Sequence, residues 1–200
     1  MIVLDVETTG IDEKKNSIIE IGAIDFFHPE DRFVMACKPW EGAELNLRDL
    51  KINGNTPETL QDPSRASLEE AAKRFYEWSN NIKSDVIIAA QNPDFDTRFL
   101  KYSFDLYGVP WIYGRRTVDQ HAVVYSRLVE KGIEIPLKKR TSNLSGDKIM
   151  ELVGLPKEPR PHKALNGALW ETEALSRVIY GKNAVEEFEK YPIPTYLIKK

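Results

Sequence analysis

An apolar run that ends in two acidic residues opens the chain and constrains its fold more than any other segment. Residues 2–4 are Ile-Val-Leu, and Asp5 and Glu7 follow with one residue between them. Because strand side chains alternate between faces, Asp5 and Glu7 point to the same side at the end of a strand that its composition predicts to be buried. Two like charges there repel unless they have a partner. The segment therefore indicates either a divalent-cation site, where oxygen ligands favour magnesium or manganese, or a strand that ends in a solvated acidic loop.

Length, cysteine content and net charge bound the class of protein. Two hundred residues suit one domain with a substantial core, so we expect a single domain over residues 1–200. The lone Cys37 excludes an internal disulfide framework and a Cys-based zinc site, and it is expected as a packing residue in a reducing, cytoplasmic compartment. No secretion signal or membrane span is visible, so no membrane partner is expected. The net charge of −3 argues against a protein that coats long nucleic acid, but it permits a protein that binds only a short nucleic-acid end.

The hydrophobic pattern predicts an antiparallel meander followed by alternating strands and helices. The second and third strands are expected over residues 16–27 and 32–38, with a turn at residues 28–31. The continuously apolar residues 86–90 predict a short central strand in a sheet covered on both faces, and residues 116–119 predict a further strand.

Helical spacing recurs through the rest of the chain. A capping box of Ser67 and Glu70 predicts a helix that ends near Asn80. Further helices are expected over residues 95–107, 120–130, 145–153 and 164–180. Residues 40–62 are expected as a connector with short helical turns, residues 131–142 as a mobile loop, and the tail at about residues 190–200 as loosely packed. Together these elements predict an α/β fold, a mixed sheet with helices on both faces.

A third carboxylate and a histidine follow in later segments. Asp96 lies in the segment Asn92-Pro93-Asp94-Phe95-Asp96, where a helix begins directly after the central strand. Because ligands collect at strand ends, Asp96 can face Asp5 and Glu7, although an isolated Asp there would more often only cap or charge its helix. His162 lies on a loop before the last long helix, where an isolated histidine is more often a surface residue than a base.

Three segments together resemble the DEDDh branch of the 3′-5′ exonucleases, the DnaQ-like and RNase T-like family with a ribonuclease H-like fold. Asp5-Val6-Glu7-Thr8-Thr9-Gly10 is similar to the first motif of that family, Asn92-Pro93-Asp94-Phe95-Asp96 to the second, and His162-Lys163-Ala164 to the third. The order and the separations also fit, and the resemblance covers nearly the whole chain.

The resemblance implies a metal-dependent exonuclease that releases nucleoside 5′-monophosphates from the 3′ end of single-stranded DNA or RNA. It implies that Asp5 and Glu7 bind metal and that Asp96 supports two magnesium or manganese ions partly through water. It also implies that His162 takes the proton from the attacking water. The residues expected to hold the terminal nucleotide are Thr8, Thr9, Gly10, Asn92 and Phe95. Alternatively, the two threonines only finish the strand and Phe95 belongs to the core.

One position departs from the family pattern. The family has an aspartate five positions after the histidine, and this chain has Gly167 there, either by deliberate substitution or naturally. The loss of a charge and of oxygen ligands should weaken metal binding, and restoring Gly167→Asp should raise activity. Glycine in a helix costs about 1 kcal/mol relative to alanine, so stability does not explain it. Glu171, one helical turn onward, is either a substitute ligand or a solvated residue; Asn166 points about 100° away, and Glu173 is expected as a surface charge.

The leading expectation is therefore an exonuclease whose turnover Gly167 weakens. One alternative is a module that binds nucleic-acid 3′ ends but has lost hydrolysis. Another is a structural subunit in which the acids are ordinary surface residues. The sequence does not separate DNA from RNA, and a polymerase partner or a homodimer stays undetermined. Because no polymerase-binding tail is evident, a stand-alone enzyme is preferred. Lys138, Lys139 and Arg140 could meet phosphates, although a solvated loop is favoured for them.

Overall fold

A five-stranded mixed sheet organises the chain, of which the computed structural model describes residues 1–198. Its strands are β1 (Ile2–Thr8), β2 (Ile18–Asp25), β3 (His28–Ala36), β4 (Ile88–Ala90) and β5 (Val118–Asp119), in the spatial order β3-β2-β1-β4-β5. The first three strands are antiparallel, whereas β4 pairs in parallel with β1 and β5 in parallel with β4. The mixed sheet with an antiparallel meander is confirmed.

Six α-helices surround this sheet in the described part of the chain, which also has short 3-10 helices at Thr59–Gln61 and Glu186–Phe188. The α-helices are α1 (Leu47–Ile52), α2 (Leu68–Asn81), α3 (Pro93–Tyr107), α4 (Gln120–Glu130), α5 (Gly146–Leu152) and α6 (Ala164–Tyr180). Ser67 caps α2 by accepting a hydrogen bond from the backbone N–H of Glu70 at 3.1 Å, as the capping box predicts. Within residues 1–198, no helix is long and apolar enough to span a bilayer.

Alternate residues of β1 pack on opposite faces of the sheet. Ile2 and Leu4 belong to a core cluster with Phe75 of α2 and Phe99 of α3. Val3 packs on the other face against Leu175 of α6. Because side chains alternate along a strand, the positions after Val3 with the same parity, residues 5 and 7, also lie on the α6 face. The two acids of the first motif are therefore placed between the sheet and α6.

Two local predictions were wrong, one at the turn between β2 and β3 and one in residues 131–142. The turn between β2 and β3 is Phe26–Phe27 rather than residues 28–31, since Phe26 is buried and donates its N–H to the carbonyl of Met1, while His28 already pairs with Asp25. Residues 131–142 do not form only a loop, because β6 (Leu137–Lys138) and β7 (Thr141–Ser142) pair as a hairpin.

The C-terminal segment packs closely instead of loosely. Leu197 is 2% exposed, and Tyr191, Ile193 and Tyr196 contact the same apolar cluster. The hydroxyl of Tyr196 donates to the carbonyl of Leu152 at the end of α5. The predicted loose tail is thus wrong up to residue 197, and residues 199–200 lie outside the described residues.

A buried ion pair joins this segment to α6. Arg177 Nε lies 2.7 Å from Glu173 Oε1, and both side chains are fully buried. The remaining guanidinium hydrogens go to oxygens of Val153, Gly154, Asn183, Phe188 and Tyr191. The expectation of a surface charge at Glu173 was wrong, because the residues after α6 fold back and cover it.

Candidate active site

Asp5 and Glu7 lie beside the start of α6. In the β1–β2 register, Asp5 is opposite Gly22 and Glu7 is opposite Glu20. A Cβ at Gly22 would stand 2.1 Å from the carbonyl carbon of Ala164, so only glycine permits this approach of the helix to the sheet. This contact places the third motif, which ends at the first residue of α6, next to the strand position opposite Asp5.

A hydrogen bond connects the second motif to the first. The backbone N–H of Val6, which lies between Asp5 and Glu7, donates to Asp96 Oδ1 at 3.1 Å. Asp96 is 4% exposed and occupies the first turn of α3. The three acids that the sequence analysis selected from two motifs are therefore together in the fold.

Gly167 lies against the carboxylate of Asp5. A Cβ at residue 167 would stand 2.2 Å from Asp5 Oδ2 and 2.7 Å from Asp5 Cγ. The Asp5 side chain therefore occupies the space in which a side chain at residue 167 would begin.

Glu171 points toward the sheet and not into solvent. It is 8% exposed, and its Oε2 accepts a hydrogen bond from the backbone N–H of Gln91 at 3.0 Å. Gln91 directly follows β4, so Glu171 reaches the strand ends where Asp96 lies. The solvated reading of Glu171 was wrong, whereas its reading as a substitute ligand stays a prediction.

A carboxylate that was not predicted from the sequence, Glu158, contacts the predicted base. Glu158 Oε2 lies 2.9 Å from His162 Nδ1. The other oxygen, Oε1, is buried and has no hydrogen-bond partner within residues 1–198. The backbone N–H of His162 donates to the carbonyl of Ile52 at 3.2 Å, which holds the loop in place. The four-residue spacing gave no usable signal, because Pro159 and Pro161 exclude a helix between the two residues.

The first-motif acids have strongly raised pKa values. For Asp5, burial and then the negative charges of Asp96 and Glu7 raise the pKa well above its usual value. For Glu7, burial and the charges of Glu158 and Glu20 raise the pKa to about 7. Lys163 and a hydrogen bond from Asn53 act in the opposite direction on Glu7, without cancelling that shift.

The acids on the helices follow the same pattern. Burial raises the pKa of Asp96 to about 8, although the hydrogen bond from Val6 favours its charged form. Burial and the charge of Asp96 also raise the pKa of Glu171 well above its usual value. The site thus places several carboxyl groups close together and away from water. Both burial and the neighbouring negative charges make each group harder to ionise.

The donor chemistry of this cluster fits a hard divalent cation. The donor atoms of its Asp and Glu side chains are all oxygens, which magnesium and manganese prefer. A bound cation would also reduce the repulsion between the carboxylates. Yet no three His, Cys, Asp or Glu side chains in residues 1–198 are positioned to hold one ion. The carboxylates would therefore have to rotate toward a common point to bind it.

The threonines of the first motif are engaged within the protein. The Thr8 hydroxyl donates to the Gly10 carbonyl at 2.6 Å, and the fully buried Thr9 donates its hydroxyl to the Glu44 carbonyl at 2.7 Å. Gly10 packs against Asn16, whose amide carbon would lie 2.4 Å from a Cβ at residue 10. These contacts favour the alternative that Thr8 and Thr9 only finish the strand.

Asn92 and Phe95 are placed differently from each other. Asn92 is exposed in the left-handed region at φ 62°, and its side chain makes no hydrogen bond to any described residue. The ring of the half-buried Phe95 lies 4.9 Å from that of Phe99, so it belongs in part to the core. Of the expected nucleotide-binding residues, Asn92 is thus the one with a free polar side chain.

A cavity of about 250 Å³ opens beside the cluster. Its lining includes Ser145, Asp147, Glu158, His162, Gly167, Trp170 and Glu171. Four larger cavities, of about 400 to 530 Å³, lie elsewhere on the described residues, but none of the four is lined by Glu158, His162 or Glu171. The cavity of about 250 Å³ is therefore the space in which a ligand could contact Glu158, His162 and Glu171.

Sequence comparisons agree with this geometry. The RNase T family profile, described as exonuclease, matches residues 2–170. A PolC-type DNA polymerase III of Thermotoga petrophila is 32% identical over a region that covers 89% of this chain and 12% of the polymerase. A ribonuclease T of Haemophilus influenzae is 30% identical over 54% of this chain and 52% of its own length. The chain thus spans about half or less of these curated relatives.

Solved structures share the fold. E. coli Exonuclease I, in complex with a dA16 oligonucleotide, superposes with a TM-score of 0.68 at 17% identity, covering 88% of this chain and 40% of that protein. Cell-death related nuclease 4 superposes with a TM-score of 0.69, also at 17% identity, over 89% of this chain and 62% of its own. These likenesses confirm the ribonuclease H-like fold that the sequence motifs implied.

Proposed function

The chain belongs to the RNase T family of 3′-5′ exonucleases, and we propose that it is itself a metal-dependent exonuclease. It would release nucleoside 5′-monophosphates from the 3′ end of single-stranded DNA or RNA. The observation that carries this proposal is the hydrogen bond from Val6 to Asp96, because it holds the acids of two separate motifs together. We further propose that residues 1–200 act as one exonuclease domain, since α3 and α6, where the second motif lies and the third ends, both contact the strand that carries the first motif.

Asp5, Glu7 and Asp96 would hold the cations, and Glu171 would supply the carboxylate that the family has at the position of Gly167. When bound, two such cations would activate the attacking water and neutralise the leaving oxygen of the phosphodiester. The raised pKa values of Asp5, Asp96 and Glu171 support this assignment, because none of these three acids has a cationic partner that neutralises it.

His162 would take the proton from the attacking water. Glu158 accepts from Nδ1, which would keep the proton on that nitrogen and leave Nε2 free as the base. Glu158 is in this sense a positioning residue, because it acts through the histidine and not on the substrate.

The terminal nucleotide would contact the free side chain of Asn92 and the exposed part of Phe95. Thr8, Thr9 and Gly10 would contribute by shaping the turn after β1. Single-stranded DNA is the first substrate to test, because the structurally similar Exonuclease I was solved with an oligonucleotide. A polymerase partner is a second arrangement to test by co-purification, because one relative is a DNA polymerase of which this chain matches a small part.

The test is digestion of 3′- and 5′-labelled single-stranded DNA and RNA in magnesium, manganese and EDTA. The chain should shorten its substrate stepwise from the 3′ end only when a divalent cation is present. Asp5→Ala should abolish this cleavage, whereas Glu41→Ala, which removes an exposed acid, should not change it. Unchanged cleavage by Asp5→Ala would overturn the proposal.

One observation favours a second candidate, a module that binds a 3′ end without hydrolysis. Gly167 stands where the family has an acid, and no three acidic or histidine side chains in residues 1–198 are already placed around a single ion. This candidate predicts binding of oligonucleotides with no cleavage even at high manganese. The digestion experiment, run alongside a binding assay, separates the two.

A further inference from the structure

The tip of the hairpin β6–β7 consists of three consecutive basic residues: Lys138 ends β6, and Lys139 and Arg140 form the turn. All three are exposed. None of the three side chains forms an ion pair or a hydrogen bond with another residue in the described part of the chain. Residues 131–142 contain four basic residues and one acidic residue, a net charge of +3, in a chain whose net charge is −3. The hairpin is therefore a local positive site on an acidic protein.

The turn itself does not explain this composition. Lys139 and Arg140 have φ values of 48° and 69°, in the left-handed region that residues with a Cβ adopt at a cost. Two-residue hairpin turns that use this region prefer Asn and Gly. Adjacent like charges add repulsion, so neither backbone geometry nor electrostatics within the chain favours basic residues here. A partner with negative charge would account for them.

Hydrogen bonds connect the base of the hairpin to the candidate active site. Ser142 Oγ lies 2.8 Å from His121 Nε2 at the start of α4. The carbonyl of Leu144, two residues further, accepts from Gln91 Nε2 at 3.3 Å, and the N–H of Gln91 donates to Glu171. Ser145 then lines the cavity beside the acids. The basic tip thus belongs to the same segment, residues 137–145, whose last residue lines the cavity.

We propose that the hairpin β6–β7 binds the phosphate backbone of single-stranded nucleic acid upstream of its 3′-terminal nucleotide. This proposal rests on the proposed function, because it assumes that the 3′ end occupies the cavity. The three cations neutralise backbone phosphates and release counterions, while the site itself contacts the terminal nucleotide. The hairpin therefore contributes to binding of long strands and not of short ones.

The test is the double substitution Lys139→Asn with Arg140→Gly. It removes two charges and gives the turn the residues that its left-handed conformation prefers, so the fold and its melting temperature should be retained or improved. Binding of fluorescent single strands of graded length would be followed by anisotropy in EDTA over a range of NaCl concentrations. The variant should bind a 20-nucleotide strand more weakly, with a slope of log K against log salt lower by about 1.4 for two lost phosphate contacts. A dinucleotide should be bound equally by both proteins.

The matched control is Lys83→Gln with Lys182→Gln. Both lysines are exposed and lie away from the site, because Lys83 precedes β4 and Lys182 follows α6, whereas the acids cluster at the opposite ends of these elements. This control removes the same charge and should keep the slope of the unmodified chain. Equal affinity and equal slope for the hairpin variant and the unmodified chain would overturn the role of the hairpin and leave the proposed function intact. Failure of the unmodified chain to bind strands of any length in EDTA would also overturn the role of the hairpin, whereas the proposed function is tested separately by the digestion in magnesium and manganese.

Discussion

Gly167 of α6 and Asp5 of β1 share one space: a Cβ at residue 167 would stand 2.2 Å from the Oδ2 of Asp5. The family places an aspartate at this position, so the two acids would compete for the same volume unless Asp5 rotated away. In this chain, the buried carboxylate of Glu171, one helical turn further, lies at the ends of the strands instead. Under the proposed function, Glu171 would supply the carboxylate that position 167 lacks.

Gly167→Asp should tighten manganese binding and raise cleavage, because rotation of Asp5 would bring two carboxylates toward one ion. Gly167→Ala adds the same Cβ without a ligand and should improve neither property. Manganese affinity can be read from the rise in melting temperature with manganese concentration, and cleavage from labelled oligonucleotides. An equal gain by the alanine variant would mean that displacement of Asp5, and not the added acid, is responsible.

Substitutions at two glutamates two residues apart on α6 should have opposite effects on stability. Glu171→Gln removes a charge that burial and Asp96 disfavour and keeps an oxygen for the Gln91 N–H, so it should stabilise the metal-free protein at neutral pH. Glu173→Gln leaves Arg177 buried without its counter-charge and should cost about 3–5 kcal/mol. Urea unfolding in EDTA measures both. Destabilisation by Glu171→Gln would contradict the repulsive cluster.

Stability without divalent cations should fall as the pH rises from about 5 to about 8. The pKa of Glu7 is raised to about 7 and that of Asp96 to about 8, so the folded protein retains protons that the unfolded chain loses above a pH of about 4. The stabilisation is complete below the unfolded pKa values and is lost as the pH passes through the folded ones. Melting temperatures in EDTA across this range give the slope. Because a cation replaces those protons, manganese should raise the melting temperature more at pH 8 than at pH 5.

Glu158→Gln should lower kcat by roughly 10- to 100-fold with little change in KM, as expected for a carboxylate that orients a functional histidine. The amide still fills the space but no longer holds a proton on His162 Nδ1 with a charge. Cleavage of single-stranded DNA in manganese, followed against pH, measures the effect. Glu151→Gln, an exposed acid on α5, is the control. An unchanged pH profile together with an unchanged kcat would exclude a positioning role for Glu158.

Most helices and strands could be predicted from the sequence, because interactions between residues close in the chain decide where they begin and end. The bounds of α4 and α6 agree with the sequence pattern, and α2 begins at its capping residue Ser67, because periodicity, capping and glycine stops act within a few residues. The acids Asp5, Glu7 and Asp96 were found in the same way, since the first two lie in the last residues of a recognisable strand and Asp96 follows another. The wrong predictions fall where a distant segment decides burial, as at Phe26, Glu173 and Leu197.

The sequence by itself determined the order of the elements, the family and the three motifs, because these depend on short-range patterns that survive without a partner segment. Only the tertiary structure decided that Glu158 contacts His162, that Glu171 is buried at the strand ends, and that Asp5 occupies the space beside Gly167. The first contact spans two prolines, and the other two join α6 to β1 and to the residue after β4, which lie much earlier in the chain. Their distances depend on how helices pack on the sheet, which no local pattern encodes.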